Sequence, residues 1–168
     1  GLMDTEKLTT MSRDAVTAAV RLALTKGNPT AEPVHLLHAM LMVPESSVAP
    51  LLKAVGADAA RVDGAASAAI DKLPSSSGSS VAQPQLSGAL ARVLADAETR
   101  ADKLGDQFVS TEHLLIALAE VDSDAKNILA SNGVTTAALE KAFNDSRGDK
   151  RITSAESEGG ESALDKYS

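Results

Sequence analysis

A segment that occurs twice constrains this chain more than any other feature. Glu32-Pro33-Val34-His35-Leu36-Leu37-His38-Ala39-Met40-Leu41 is answered 78 residues later by Ser110-Thr111-Glu112-His113-Leu114-Leu115-Ile116-Ala117-Leu118-Ala119. Self-similarity at a fixed spacing means that each copy is one supersecondary unit, which buries its apolar face against its neighbour. The flanking residues keep the register: Ala19 answers to Ala97, Ala23 to Ala101 and Gly27 to Gly105. After a one-residue deletion the spacing is 77, and Gly56 answers to Gly133.

Each copy reads as four helices. In the first, Met11, Ala15, Ala18, Ala19, Leu22 and Ala23 recur at helical spacing, which predicts a helix from Thr10 to about Lys26. Gly27-Asn28-Pro29 stops it, because Pro cannot continue a helix and Gly accepts a left-handed cap. Pro33 suits a first helical position, so Glu32 is the N-cap of a second helix reaching about Val43. A short third helix spans about Val48 to Val55, and Asp58 caps a fourth that ends near Leu73. In the second copy Leu90, Val93, Leu94, Ala97, Ala101 and Leu104 form an amphipathic face. Ser110 and Thr135 stand at the cap positions, and Leu139 and Phe143 replace Val62 and Ala66.

These readings define an all-α fold. Two four-helix repeats pack with pseudo-twofold symmetry in an orthogonal-type helical bundle. Half a chain of this kind, about 65 residues, buries too little surface to be secure alone, so the halves are expected to share one core. The expected domain covers residues 1–146, with repeat one at 9–73, a Ser-rich linker at 74–85 and repeat two at 86–146. Pro74 to Pro84 is polar and Gly/Ser-containing, the composition of a flexible spacer. From Arg147 apolar periodicity is lost, so residues 147–168 are expected to be a mobile linker. Ser162 to Ser168 reads as the start of a further helix, and Gly1-Leu2 ahead of Met3 is set aside from the fold.

Composition narrows the function. Aromatics are only Phe108, Phe143 and Tyr167, so the core must be Leu, Val, Ile and Ala. A net charge of −7 disfavours nucleic acid, whose phosphates need clustered Lys and Arg. The absence of cysteine excludes disulfides and thiolate metal sites and suits a reducing, cytoplasmic setting. No stretch approaches the roughly 20 apolar residues of a membrane span, and no signal peptide is visible.

No residue pattern here argues for catalysis. Gly-x-x-x-x-Gly-Lys-[Ser/Thr] is absent, so the sequence has no Walker A loop. His35, His38 and His113 are the only histidines, and His-Glu-x-x-His is absent, so no metal is expected. The repeated histidine stands at the third position of its helix in both copies, which suits a structural role in the first turn. Asp106, in the loop, and Glu112, in the first helical turn, admit two readings. They support the turn and the helix dipole, or they meet donors of a partner. Arg147-Gly148-Asp149 spells the adhesion tripeptide, but three residues carry almost no specificity.

Gly105-Asp106-Gln107-Phe108-Val109-Ser110-Thr111-Glu112-His113-Leu114-Leu115 closely resembles the motif of the Clp N-terminal repeat, and Glu32 to Leu37 is its looser first copy. The resemblance covers about Thr9 to Ser146. The segments Arg151 to Ser154 and Ala163 to Tyr167 resemble the approach to the first AAA+ module in the ClpB family of disaggregases. The resemblance implies a substrate-contacting domain with no ATPase activity or cofactor of its own, while ATP and Mg bind in the parent's AAA+ modules. It implies a parent homohexamer that threads unfolded or aggregated polypeptides in a stress response with DnaK, DnaJ and GrpE. The isolated domain is expected to be monomeric, because ring contacts would lie in those modules.

By the same resemblance Asp106 and Glu112 match residues linked to substrate handling, as does Thr10, or Thr9 under a different gap. The family also implies an apolar surface groove. Leu90, Val93 and Leu94 are its candidates here, with ordinary inter-repeat core as the alternative. An N-domain of the ClpC type, binding adaptors, is the nearest competitor, yet Val34 stands where its first acidic residue would be. A stand-alone double-repeat adaptor is the third reading.

Overall fold

The computed structural model describes residues 5–76 and 83–158. The expected helix at Ser162 to Ser168 and the Gly1-Leu2 start lie outside the described residues. Eight α-helices follow in order: α1 (Thr10–Thr25), α2 (Pro33–Leu41), α3 (Val48–Ala54), α4 (Ala59–Asp71), α5 (Gly88–Lys103), α6 (Thr111–Glu120), α7 (Asp124–Ser131) and α8 (Thr136–Arg147). The first four lie within two residues of their expected bounds, and the fold is all-α as the repeat required.

Capping side chains fix the helix starts. Thr9 Oγ1 accepts from the Ser12 amide at 3.1 Å, Ser87 Oγ from Leu90 at 3.0 Å, and Asp58 Oδ1 from Ala60 at 2.9 Å. Each such cap is worth about 1 kcal/mol, because it satisfies an amide that the helix cannot. Thr9, not Thr10, is therefore the cap of α1, and Ser87 is its partner 78 residues on.

The duplicated helices form the centre. Every residue of α6 from Thr111 to Ala119 is buried, as are Pro33 to Leu37 of α2. The two helices touch, α1 packs on α2, and α5 packs on α6. Small residues permit this closeness: Ala19, Ala23, Ala97 and Ala101 all lie in the core. Phe143 of α8 fills the second half where Ala66 of α4 stands in the first, and both are fully buried.

Main-chain pairing between the halves is reciprocal. Thr30–Ala31 (β1), just before α2, pairs in parallel with Gln85–Leu86 (β2), just before α5. Leu8, just before α1, pairs in parallel with Val109, just before α6. Each repeat thus offers its leading strand to the loop of the other. Two-residue strands leave no periodicity to read, and the sequence did not signal them.

Two expectations about linkers change. Pro74 to Ser76 is fastened to the first repeat: the Ser76 amide donates to the Gly27 carbonyl at 3.0 Å, and Asn28 Nδ2 donates to the Pro74 carbonyl at 2.9 Å. A β-carbon on Gly27, whose φ is +74°, would stand 2.4 Å from the Ser76 carbonyl oxygen, so only glycine fits there. Residues 147–158, expected to be mobile, instead fold back onto the second repeat and the start of α1. Arg147 and Ile152 are 3% and 2% exposed, because one carries a guanidinium with a buried carboxylate partner and the other is the lone large aliphatic of that stretch.

Candidate functional site

The loop between α5 and α6 gathers most of the polar groups singled out in the sequence. His113, at the third position of α6, closes the first turn: its Nδ1 accepts from the Ser110 amide at 2.9 Å. That leaves Nε2–H to donate to Asp106 Oδ2, 2.9 Å away. The first copy repeats the device. His35 Nδ1 accepts from the Glu32 amide at 2.8 Å, and His35 Nε2 lies 2.8 Å from Asn28 Oδ1. A histidine in the usual Glu/Gln capping-box position thus pins the helix start and the incoming loop together, which fits the structural role read from sequence.

Around Asp106 the copies diverge. Asp106 takes Arg147 Nη1 on both oxygens, at 2.6 and 2.8 Å, and the Ile152 amide on Oδ1 at 2.8 Å. Arg147 Nη2 also donates to the Leu104 carbonyl. The guanidinium lies 4.2 Å over the Phe143 ring, and His113 meets that ring edge-on at 5.3 Å between centroids. Burial alone would push the Asp106 carboxyl up; the hydrogen bonds from His113, Arg147 and the Ile152 amide outweigh it and hold the carboxyl below its ordinary value. In the first half burial lowers His35, against the pull of Glu32, and its partner Asn28 carries no charge.

Thr10, Asp106 and Glu112 are found in different states. Asp106 is 4% exposed and fully engaged, so it reaches a ligand only through what it holds. Thr10 is exposed, and its hydroxyl donates to Glu156 Oε1 at 3.0 Å. Glu112, only 1% exposed, borders a cleft of about 150 Å³ between α3 and α8. Pro50, Leu51, Ala54 and Ala142 supply its apolar wall.

Leu90, Val93 and Leu94 do not form a surface groove. They are 0%, 0% and 5% exposed, turned into the core where α5 meets α6 and α2. Arg92, Ala95 and Thr99 occupy the solvent side of the same helix. Of the two readings left open, inter-repeat core is the one found.

Sequence reasoning passed over Arg147, Ile152 and Glu158. Glu158 Oε1 accepts from the amide and hydroxyl of Thr111 at the start of α6, at 3.1 and 2.7 Å. Burial raises its carboxyl above the ordinary value, although the hydrogen bonds from Thr111 pull the other way. Asn28 and Asp106, by contrast, could have been paired from the 78-residue register alone. Arg147 is buried on Asp106, so the Arg-Gly-Asp tripeptide presents only its Gly148 and Asp149 to solvent. Among the described residues no three His, Cys, Asp or Glu side chains are grouped to hold a metal, and no helix is long and apolar enough to cross a membrane.

A doubled four-helix unit with this capped loop is what the Clp repeat (R) N-terminal domain describes. The profile of that family matches residues 7–154, and the chain belongs to it. Within the family the likeness is to the N-terminal region of ClpB chaperones: the chaperone protein ClpB of Mycobacterium tuberculosis is 42% identical over 166 residues, 99% of this chain. The chain spans 20% of that relative's length. The fold recurs in the Hsp104 N-terminal domain from Candida albicans, with a TM-score of 0.76 and 24% identity over 89% of this chain and 97% of that one. It recurs also in a ClpV N-domain solved in complex with a VipB peptide, with a TM-score of 0.66 and 20% identity over 82% and 85% of the two chains.

Proposed function

We propose that this chain is the polypeptide-engaging domain of a ClpB-type disaggregase. The observation that carries the reading is the 42% identity to a ClpB chaperone sustained over 99% of the chain. In this reading the domain meets unfolded or aggregated polypeptides and passes them to a hexameric AAA+ ring, which works with DnaK, DnaJ and GrpE in the cytoplasm. ATP and its Mg belong to the parent's AAA+ modules; the present sequence has no Walker A loop to hold them. A ligand peptide in the ClpV complex supports a peptide-binding use of the fold.

With Leu90, Val93 and Leu94 in the core, the reading assigns the polypeptide contact to the apolar-walled cleft between α3 and α8. Its wall is aliphatic, a surface that takes up an apolar side chain, and the buried Glu112 borders it. The first copy has the buried Val34 in the place of Glu112, so only one acidic site of this kind exists, which favours a ClpB-type over a ClpC-type domain. Chemical-shift mapping with an unfolded model polypeptide tests the assignment. Perturbations should centre on Ser47 to Ala54, Glu112 and Ala142; a map that avoids all three regions would overturn it. The isolated chain should sediment as a monomer.

A further inference from the structure

The segment after α8 is seated as a ligand would be. The Ile152 amide donates to Asp106 Oδ1, and the Ile152 carbonyl accepts from the Gln107 amide, each at 2.8 Å. Three residues on, the Ala155 carbonyl accepts from the Thr10 amide at 2.8 Å, and the Glu156 carboxylate takes the Thr10 hydroxyl. Glu158 then closes on Thr111. Thr10 and Thr111 are the first residues of α1 and α6, whose amides have no partner inside their helices. The strap therefore completes the starts of two helices from different repeats, while the Ile152 side chain fills a buried slot.

Most of this recognition does not depend on the strap's covalent attachment. It uses main-chain groups, one aliphatic side chain and carboxylates at a set spacing, the grammar of extended-peptide recognition. Glu158 Oε2 is buried without a hydrogen-bond partner among the described residues. Beside the strap lies an open cleft of about 250 Å³ bordered by Met11, Asp14, Val43 and Glu45.

We propose that this seat is an extended-peptide site, occupied in cis by Ile152 to Glu158 as a displaceable stand-in for an external polypeptide that carries an aliphatic residue and, six positions on, a carboxyl or carboxamide group. The proposal rests on the polypeptide-engaging reading above and gives that reading a second, gated site. Asp106 then acts as a positioning residue, since it fixes the amide that follows Arg151 and so sets where the strap begins. When the strap is seated, an external segment competes with a tethered one, and its apparent affinity falls by the fraction of time that the seat is open.

The test uses the full 168-residue chain and a labelled synthetic peptide of residues 148–159, read by fluorescence anisotropy. Ile152→Ser combined with Glu158→Ala opens the whole strap; Glu156→Ala with Glu158→Ala opens only its distal half and leaves Ile152 seated. Both opened chains should bind the peptide more tightly than the intact chain, by about tenfold or more for the fully opened one. A peptide with Asp in place of its Ile should lose that binding. Equal binding to intact and opened chains, or equal binding of a scrambled peptide, overturns the proposal. An unfolded model polypeptide added in parallel separates the two readings. Binding that strengthens on opening supports the gated site; binding unaffected by opening rejects it and leaves the α3–α8 cleft standing. No binding to any variant rejects the polypeptide-engaging reading itself.

Discussion

Asn28 and Asp106 hold equivalent positions against equivalent histidines, His35 at 2.8 Å and His113 at 2.9 Å, yet only Asp106 is charged. The neutral member donates onward to a carbonyl, that of Pro74. The charged member accepts from Arg147 and from the Ile152 amide. One atom's difference in the side chain decides whether the following segment is met by a donor or by an acceptor.

Asp106→Asn should therefore destabilise the second half well beyond the loss of one hydrogen bond. The new amide can still serve His113, but its NH₂ would face the donors of Arg147 and Ile152. Removing one partner of a buried ion pair costs about 3–5 kcal/mol. Urea denaturation should show a loss of this size, and Arg147→Met added to Asp106→Asn should recover part of it, because the buried charge then disappears.

The same carboxylate sets a pH dependence. Its value in the folded chain lies below the unfolded one, so its contribution is complete above the unfolded value of about 4 and is lost as pH falls through the folded value. Stability measured from pH 6 downward should fall less steeply in Asp106→Asn than in the parent chain. An identical slope in the two proteins would remove Asp106 from the account.

Glu158 behaves with the opposite sign. Burial raises its folded value, so its contribution is complete when protonated and is lost as pH rises through that value. The strap should tighten as pH falls from neutrality toward about 4.3, the unfolded value of a glutamate. Hydrogen exchange at the Ile152 and Thr10 amides should report this. Glu158→Gln keeps the acceptor for Thr111 without the buried charge, and should give tight protection at all these pH values.

Leu94→Ala should cost stability alone. The side chain is 5% exposed in the core, and truncations of that kind remove about 2–5 kcal/mol. Binding of unfolded polypeptide by the folded fraction should be unchanged, whereas a surface-groove residue would lose affinity with stability intact.

Much of this architecture was legible because helices advertise themselves over long windows. The Ala19, Ala23, Ala97 and Ala101 register, the caps at Asp58, Ser110 and Thr135, and the stops at Gly27 and Gly105 each repeat a local rule. The strap was not legible, because Ile152 is one apolar residue among polar ones and its partners lie more than forty positions away. The burial of Leu90 to Leu94 was ambiguous for a related reason: an apolar stripe says that a helix has an inner face, not whether a neighbour covers all of it. For the loop, the 78-residue register sets Asn28 opposite Asp106, a pairing the sequence reading did not draw, and gives no sign of Arg147.

The exchange of leading strands also bears on where such a chain comes from. Leu8 lies on the loop of the second repeat, and Gln85-Leu86 on that of the first. Were the two repeats identical and separate, each would present the same strand and the same loop, and two copies would satisfy each other about a twofold axis. The fold is thus that of a strand-exchanged homodimer joined into one polypeptide. Within one polypeptide the two copies are free to differ, and the ionic cluster at Asp106 is a difference that a symmetric pair could not keep to one side.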